Sequence, residues 1–184
     1  MQSSGLTLMH RDIRHKIDKP PIKTLNFPSA KLLIKGVDCD MAETTEDLQE
    51  GVERHEGIVT IRGGGKSRGW NGIRYKLGMS GKNVGSKQLS INVATIPPGG
   101  VAYAHIHVDF EVMLYIVEGR VRHEFGPGLK YSLENEAGDF IFIEPGVPHE
   151  VFNMSDTEPV VAFVARSSAD EWDKIITYDR SSEA

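Results

Sequence analysis

The spacing of glycine and proline between residues 58 and 166 constrains the fold of this chain more than any other feature. Short apolar or alternating runs recur there, among them IVTIR, KQLSINVATI, EVMLYIVEG and PVVAFVAR. Nearly every break between runs carries Gly, Pro, Asn or Asp, as in PPGG, GPG and EPGVP. Turn signals at intervals of roughly 8–12 residues are typical of an all-β sandwich or barrel. Because helical periodicity is absent from this stretch, the sequence predicts an all-β domain.

Composition narrows the classes of function. The chain has 184 residues, enough for one domain, and its net charge of −5 disfavours nucleic-acid binding, which uses a basic face. No apolar run approaches the ~18 residues of a membrane span, and the start, MQSSGLTLMHRDIRHK, lacks the apolar segment of a secretory signal. The single cysteine, Cys39, excludes an internal disulfide framework. We therefore expect a soluble cytoplasmic protein with no nucleic-acid or membrane partner.

Two histidines separated by one residue, His105 and His107, lie in an extended run. Because alternate side chains of a strand share a face, Val101 and Tyr103 are expected to point to the same side as these histidines. Glu111 has the same parity. This strand is therefore expected to direct two imidazoles into one cavity.

Two segments of the chain resemble the signature motifs of the cupin superfamily. The first family motif, G-x5-H-x-H-x3,4-E-x6-G, is matched by Gly99, His105, His107 and Glu111. The second, G-x5-P-x-G-x2-H-x3-N, is matched in order by Gly138, Gly146, His149 and Asn153. The resemblance spans about residues 87–166.

The spacing of the first motif leaves its acidic position open. Seven residues rather than six separate Glu111 from Gly119, so counting back from the glycine places the acid at Val112. Counting forward from His107 places it at Glu111, and a one-residue β-bulge would reconcile the two counts. Asp109 is the alternative oxygen ligand, and three histidines with an additional water are the remaining possibility.

The resemblance implies the fold. We expect an all-β, cupin-type double-stranded β-helix, or jelly-roll barrel, with an N-terminal extension and a short C-terminal helix. The extension covers residues 1–85 and contributes strands that pack on the barrel, the barrel core covers 86–166, and the helix and tail cover 167–184. A capping-box pattern at Ser168 and Glu171 supports the C-terminal helix.

The resemblance also implies one divalent transition metal, bound by His105, His107, Glu111 and His149. Neutral imidazoles with one carboxylate suit Fe(II) or Mn(II), which we favour, and also Ni(II), Co(II) and Zn(II), but not Ca(II). Open coordination positions would accept a bidentate substrate, or a substrate together with O2. A barrel that retains the histidines without a metal is the alternative.

Other polar residues are candidates for the same cavity. Tyr103 shares the parity of His105, and His123, on the run RVRHEF, could act as an acid–base group beside the metal. Several cations could bind a carboxylate, although strand alternation places several of them at the surface: Arg74, Lys76, Arg120, Arg122 and Arg166.

The reverse face of the histidine strand is apolar, formed by Ala102, Ala104, Ile106 and Val108. A strand exposed on that side should be polar, so something covers it. Either the first 60–85 residues fold over it or a second subunit does. We expect a homodimer built on this stripe.

Three functions are compatible with these features. The first is an Fe(II) or Mn(II) dioxygenase-type oxidoreductase acting on a small oxygen-chelating organic substrate. The second is an isomerase, lyase or hydrolase in which the metal polarises a carbonyl without O2 chemistry. The third is a non-catalytic module that binds a metal or small molecule, because a fold does not by itself specify a function.

Overall fold

Antiparallel β-structure dominates the described part of the chain, residues 48–170 and 174–183 of a computed structural model. Its strands are β1 (Val52–His55), β2 (Ile58–Ile61), β3 (Ser67–Trp70), β4 (Ile73–Met79), β5 (Ser90–Ile96), β6 (Val101–His107), β7 (Val112–Glu118), β8 (Arg120–Phe125), β9 (Tyr131–Glu136), β10 (Phe140–Ile143), β11 (His149–Asn153), β12 (Val160–Arg166) and β13 (Ile175–Thr177). A short helix, α1, spans Gly81–Val84, and 3-10 turns lie at Arg62–Gly64, Pro127–Leu129 and Arg180–Glu183.

Two sheets form the barrel, and β1 and β2 form a separate two-stranded sheet. The six-stranded sheet has the order β10-β7-β12-β5-β4-β3, and the five-stranded sheet has the order β13-β6-β11-β8-β9. Neighbouring strands in these lists are often distant in sequence, as expected for a jelly roll. The predicted all-β jelly-roll fold is confirmed.

The core lies between the two sheets and is built by strand alternation. On β5, β7 and β12, alternate residues are buried, so one face of each strand points inward. These faces pack against inward residues of the five-stranded sheet, including Ala102, Val121 and Val151. The apolar side chains thus enclose a central cavity rather than filling the barrel completely.

A tight hairpin turn at Asn71 and Gly72 joins β3 to β4. Both residues have positive φ, 52° and 82°, which is the requirement of the two-residue type I′ turn that Asn-Gly favours. A Cβ on Gly72 would lie 2.2 Å from the carbonyl oxygen of Val101, so only glycine permits this approach to β6. The turn therefore holds Asn71 against the histidine strand.

The predicted segments at the two ends of the chain are described in part. Residues 1–47 of the predicted N-terminal extension lie outside the described residues, while β3 and β4 from its C-terminal part join the six-stranded sheet. The predicted C-terminal helix includes residues 171–173, which also lie outside the described residues. After them, Ile175–Thr177 forms β13, which pairs with β6 at the edge of the five-stranded sheet.

Several exposed apolar side chains lie together on the outer face of the six-stranded sheet. Phe140 is 82% exposed, and it stacks 4.7 Å from Tyr115 on the neighbouring strand. Met113 on β7, Phe142 on β10 and Phe163 on β12 are exposed on these three adjacent strands. Apolar exposure is therefore greater here than on the reverse face of β6, where Ala104, Ile106 and Val108 are half-buried.

No helix in the described residues is long and apolar enough to cross a membrane.

Candidate metal centre

Three histidines from two neighbouring strands meet at one end of the cavity. His105 and His107 lie on β6, and His149 begins β11, which pairs with β6 in register at His105. Each offers a ring nitrogen, and these atoms all lie within 4.8 Å of one another. The side chains are only 5%, 4% and 3% exposed. The chain thus brings together the three histidines that the sequence predicts as ligands.

Backbone carbonyls orient two of these rings. The Nδ1–H of His105 donates to the carbonyl oxygen of Tyr103 at 2.7 Å, and the Nδ1–H of His149 donates to that of Val147 at 2.9 Å. The side-chain amide of Asn71 also donates to the Tyr103 oxygen, at 2.8 Å. When Nδ1 carries the proton, Nε2 keeps its lone pair for a metal ion.

Burial keeps the imidazoles neutral. It lowers the pKa of His105 to about 3, with a smaller contribution from the neighbouring His149. Burial likewise lowers the pKa of His107 and of His149. A neutral imidazole is the form that coordinates a metal, so at neutral pH the cluster can bind an ion without first losing protons.

The structure corrects the predicted orientation of Glu111. This residue lies just before β7, its side chain is exposed, and its backbone N–H donates to Ser167 Oγ at 2.9 Å. Strand alternation instead directs Val112, 1% exposed, into the cavity. Asp109 is exposed in the preceding loop with a φ of 63°. Among the described residues, the histidine cluster contains no carboxylate.

A bulge in β6 corrects the predicted faces of Tyr103 and Ala102. His105 lies opposite His149 and Ala102 lies opposite Val151, so three steps on β6 match two on β11. The parity changes between these residues. Ala102 therefore lines the cavity, and Tyr103 points outward with 58% of its surface exposed. The prediction that Tyr103 faces the metal site is wrong.

The cavity is small and mostly apolar. It has a volume of about 60 Å³, room for a few water-sized groups at roughly 10–15 Å³ each. Its walls are aliphatic residues of both sheets, such as Ile73, Leu114 and Ile143. Substrates that bind wholly inside it would therefore have only a few heavy atoms.

His123 also lines this cavity, as the sequence interpretation allowed. It is 5% exposed, and the side chain of Asn135 on β9 is a hydrogen-bonding neighbour of its ring. Burial lowers its pKa to about 4, with a smaller effect from His149. The ring is therefore a neutral hydrogen-bonding group directed into an apolar chamber.

The sequence did not predict that Trp70 and Asn71 lie beside the site, and it did not single out Arg166 from the other candidate cations. Trp70 packs edge-on against His105, with ring centroids 5.8 Å apart, and Asn71 follows it in the β3–β4 turn. The Asn-Gly dipeptide is a strong hairpin signal, but only tertiary structure places it beside His105. Arg166, one of five candidate cations, lines the cavity and is 4% exposed.

The residues present fit a divalent transition metal. Three neutral, buried nitrogen donors converge, and such donors suit Mn, Fe, Co, Ni or Zn rather than Ca(II) or Mg(II), which prefer oxygen. Three protein ligands also leave coordination positions open, as in catalytic rather than structural metal sites.

Comparisons with known proteins agree with this architecture. The sequence model described as "Cupin domain" matches residues 92–166. Oxalate decarboxylase from Lactobacillus farciminis, in a formate complex, has a TM-score of 0.53 and 21% identity over 61% of this chain and 33% of its own. A recombinant oxalate oxidase in complex with glycolate has a TM-score of 0.50 and 24% identity over 58% of this chain and 55% of its own.

A Bacillus subtilis oxalate decarboxylase variant has a TM-score of 0.54 and 17% identity over 65% of this chain and 31% of its own. This chain thus spans about a third of the decarboxylase chains and about half of the oxalate oxidase chain. No curated protein matches the sequence. At these identities, the likeness to the solved structures concerns the fold.

Proposed function

We propose that this chain, which belongs to the cupin superfamily through the domain at residues 92–166, is a metal-dependent enzyme for a small oxygen-chelating organic substrate. The observation that carries the proposal is the convergence of three buried, neutral histidines on a mostly apolar cavity. We favour a dioxygenase-type oxidoreductase with Mn(II) or Fe(II). Mn(II) gains support from a structural neighbour, the Bacillus subtilis oxalate decarboxylase, which is described with Mn(II) centres.

His105, His107 and His149 would hold the ion. When bound, it would supply Lewis acidity and, for Fe or Mn, one-electron chemistry to a chelated substrate. The carbonyls of Tyr103 and Val147 keep the rings of His105 and His149 in the coordinating orientation. The aliphatic walls lower the polarity around a ligand inside, which strengthens its polar contacts.

We assign His123 to the substrate rather than to the metal. Its ring lines the same cavity but is not part of the cluster of potential ligands. A neutral imidazole offers one donor and one acceptor, so it can orient a ligand hydroxyl or accept a proton from it.

Elemental analysis of protein purified without added metal tests the proposal. We expect Mn or Fe near one per chain in the wild type, little in His149→Ala, and O2 uptake with small keto acids or diketones. Zn with no O2 uptake but substrate turnover would place the protein in the isomerase, lyase or hydrolase class. A wild-type chain that binds none of these ions would overturn the proposal.

A further inference from the structure

Beyond the histidines, the cavity wall contains a buried cation. Arg166, the last residue of β12, is 4% exposed and lines the cavity together with His105, His107 and His149. The guanidinium therefore lies close to the candidate metal centre.

The charge balance of the chamber favours an anion. Among the described residues that line it, none is Asp or Glu. A divalent ion on neutral imidazoles would share this low-dielectric space with the guanidinium, and two buried positive charges are costly unless an anion accompanies them. Val112, which lies in register with Arg166 on the adjacent strand, supplies no charge.

Two polar side chains of β5 lie near Arg166 but outside the residues that line the cavity. Ser90, on β5, lies in register with Arg166, and Asn92 follows it on the same inward face. Both are 1% exposed. Ser90 Oγ and both amide atoms of Asn92 have no hydrogen-bond partner in the part of the chain that the structure describes. Buried polar atoms of this kind are normally satisfied by a ligand or by water.

We propose that Arg166 is the group that binds a carboxylate of the substrate, so that the enzyme selects small organic acids over neutral chelators. This inference rests on the proposed function and names its substrate class. A guanidinium has five N–H donors in a fork that matches a carboxylate, so it can bind one while it also contacts the protein. The substrate would contact the metal with its oxygen donors and Arg166 with its carboxylate.

The test compares two probes of equal size that differ in charge, pyruvate and pyruvamide. Binding is measured by calorimetry on the full chain, both metal-free and loaded with Mn(II). We expect the wild type to bind pyruvate at least roughly tenfold more tightly than pyruvamide, the scale of a hydrogen bond to a charged group. Arg166→Gln should lose this preference while it retains the metal content of the wild type.

Two further variants complete the design. Arg166→Lys keeps the charge but not the bidentate fork, so it should retain part of the preference, and it serves if the Gln variant fails to fold. Arg120→Gln removes an exposed arginine on β8 and should behave like the wild type. Equal binding of the two probes by both wild-type forms would overturn the inference, whatever the variants do.

The outcomes separate this inference from the proposed function. Failure of the wild type to bind metal, with a pyruvate preference that still depends on Arg166, would overturn the metal enzyme and keep the carboxylate subsite. Normal metal binding without a preference for pyruvate over pyruvamide would keep the metal enzyme and overturn the carboxylate subsite. A preference that survives in Arg166→Gln would show that another group binds the carboxylate and would refute the assignment.

Discussion

Replacing His149 by alanine gives the sharpest test of the metal centre. His149 begins β11, and its potential ligand atom lies within 4.8 Å of those of His105 and His107. The barrel core lies between two sheets that do not depend on this side chain, so we expect the variant to fold. What it should lose is one of the three protein bonds to the ion.

The size of the loss can be estimated from metal sites in general. Structural zinc sites with four ligands bind with about 10–16 kcal/mol, or roughly 2.5–4 kcal/mol per ligand. Removal of one ligand should therefore weaken affinity by roughly 100-fold or more, at about 1.4 kcal/mol per tenfold. At a metal concentration 100 times the wild-type Kd, the ion stabilises the folded wild type by about 2.7 kcal/mol and the variant by only about 0.4 kcal/mol.

Thermal unfolding with and without Mn(II) measures this difference. At about 2–4 °C per kcal/mol for a domain of this size, the metal should raise the wild-type Tm by roughly 5–11 °C and that of His149→Ala by roughly 1–2 °C. Comparing each protein with its own metal-free form cancels the effect of the small void left by the imidazole. His55→Ala, at an exposed histidine of β1, is the matched control and should respond like the wild type. An undiminished shift in His149→Ala would refute the site.

Three other results are expected. Glu111→Gln should leave the metal-induced Tm shift unchanged because the Glu111 side chain is exposed and points away from the cavity; a loss of the shift would show that Glu111 reaches the ion. Burial lowers the pKa of His105 to about 3 and that of His123 to about 4, so below about pH 6.5 the unfolded chain binds protons that the folded chain does not. The free energy of unfolding of the metal-free protein, measured with urea, should therefore fall by about 1.4 kcal/mol per pH unit for each such histidine between about pH 6.5 and 4, whereas a rise on acidification would contradict their neutral burial. Ile106→Asp should dissociate the proposed homodimer, because it places a charge on the half-buried reverse face of β6; light scattering that reports a wild-type monomer would contradict that dimer.

Much of the fold and the identity of the histidines in the candidate metal centre could be predicted from the sequence because both depend on local patterns. Alternation of apolar residues and the placement of turn residues specify strands one at a time, without knowledge of their partners. The His105 and His107 pair works in the same way, because two residues on a regular strand segment keep their common face whatever the strand pairs with. His149 could be added through the spacing of the second motif.

Faces that lie beyond an irregularity could not be predicted this way. Strand alternation places Tyr103 on the inward face only if β6 is regular. The bulge between Ala102 and His105 shifts the alternation, so Tyr103 points outward. Parity also fails across the loop before β7, which is why Val112 rather than Glu111 enters the cavity. A bulge is set by hydrogen bonding to the neighbouring strand, here β11, and that partner is about 45 residues away in the chain.

Tertiary structure alone also decided which polar residues surround the histidines. Five cations were candidates from alternation, and only the pairing of β12 with both β5 and β7 directs Arg166 into the chamber beside Ser90. Asn71 reaches His105 because a hairpin turn packs against a strand some thirty residues further along. The sequence by itself determined that strands form and which histidines could bind a metal, since these follow from neighbours in the chain. Strand register, bulges and sheet order determined the charge and shape of the cavity, because they arise from contacts between distant segments.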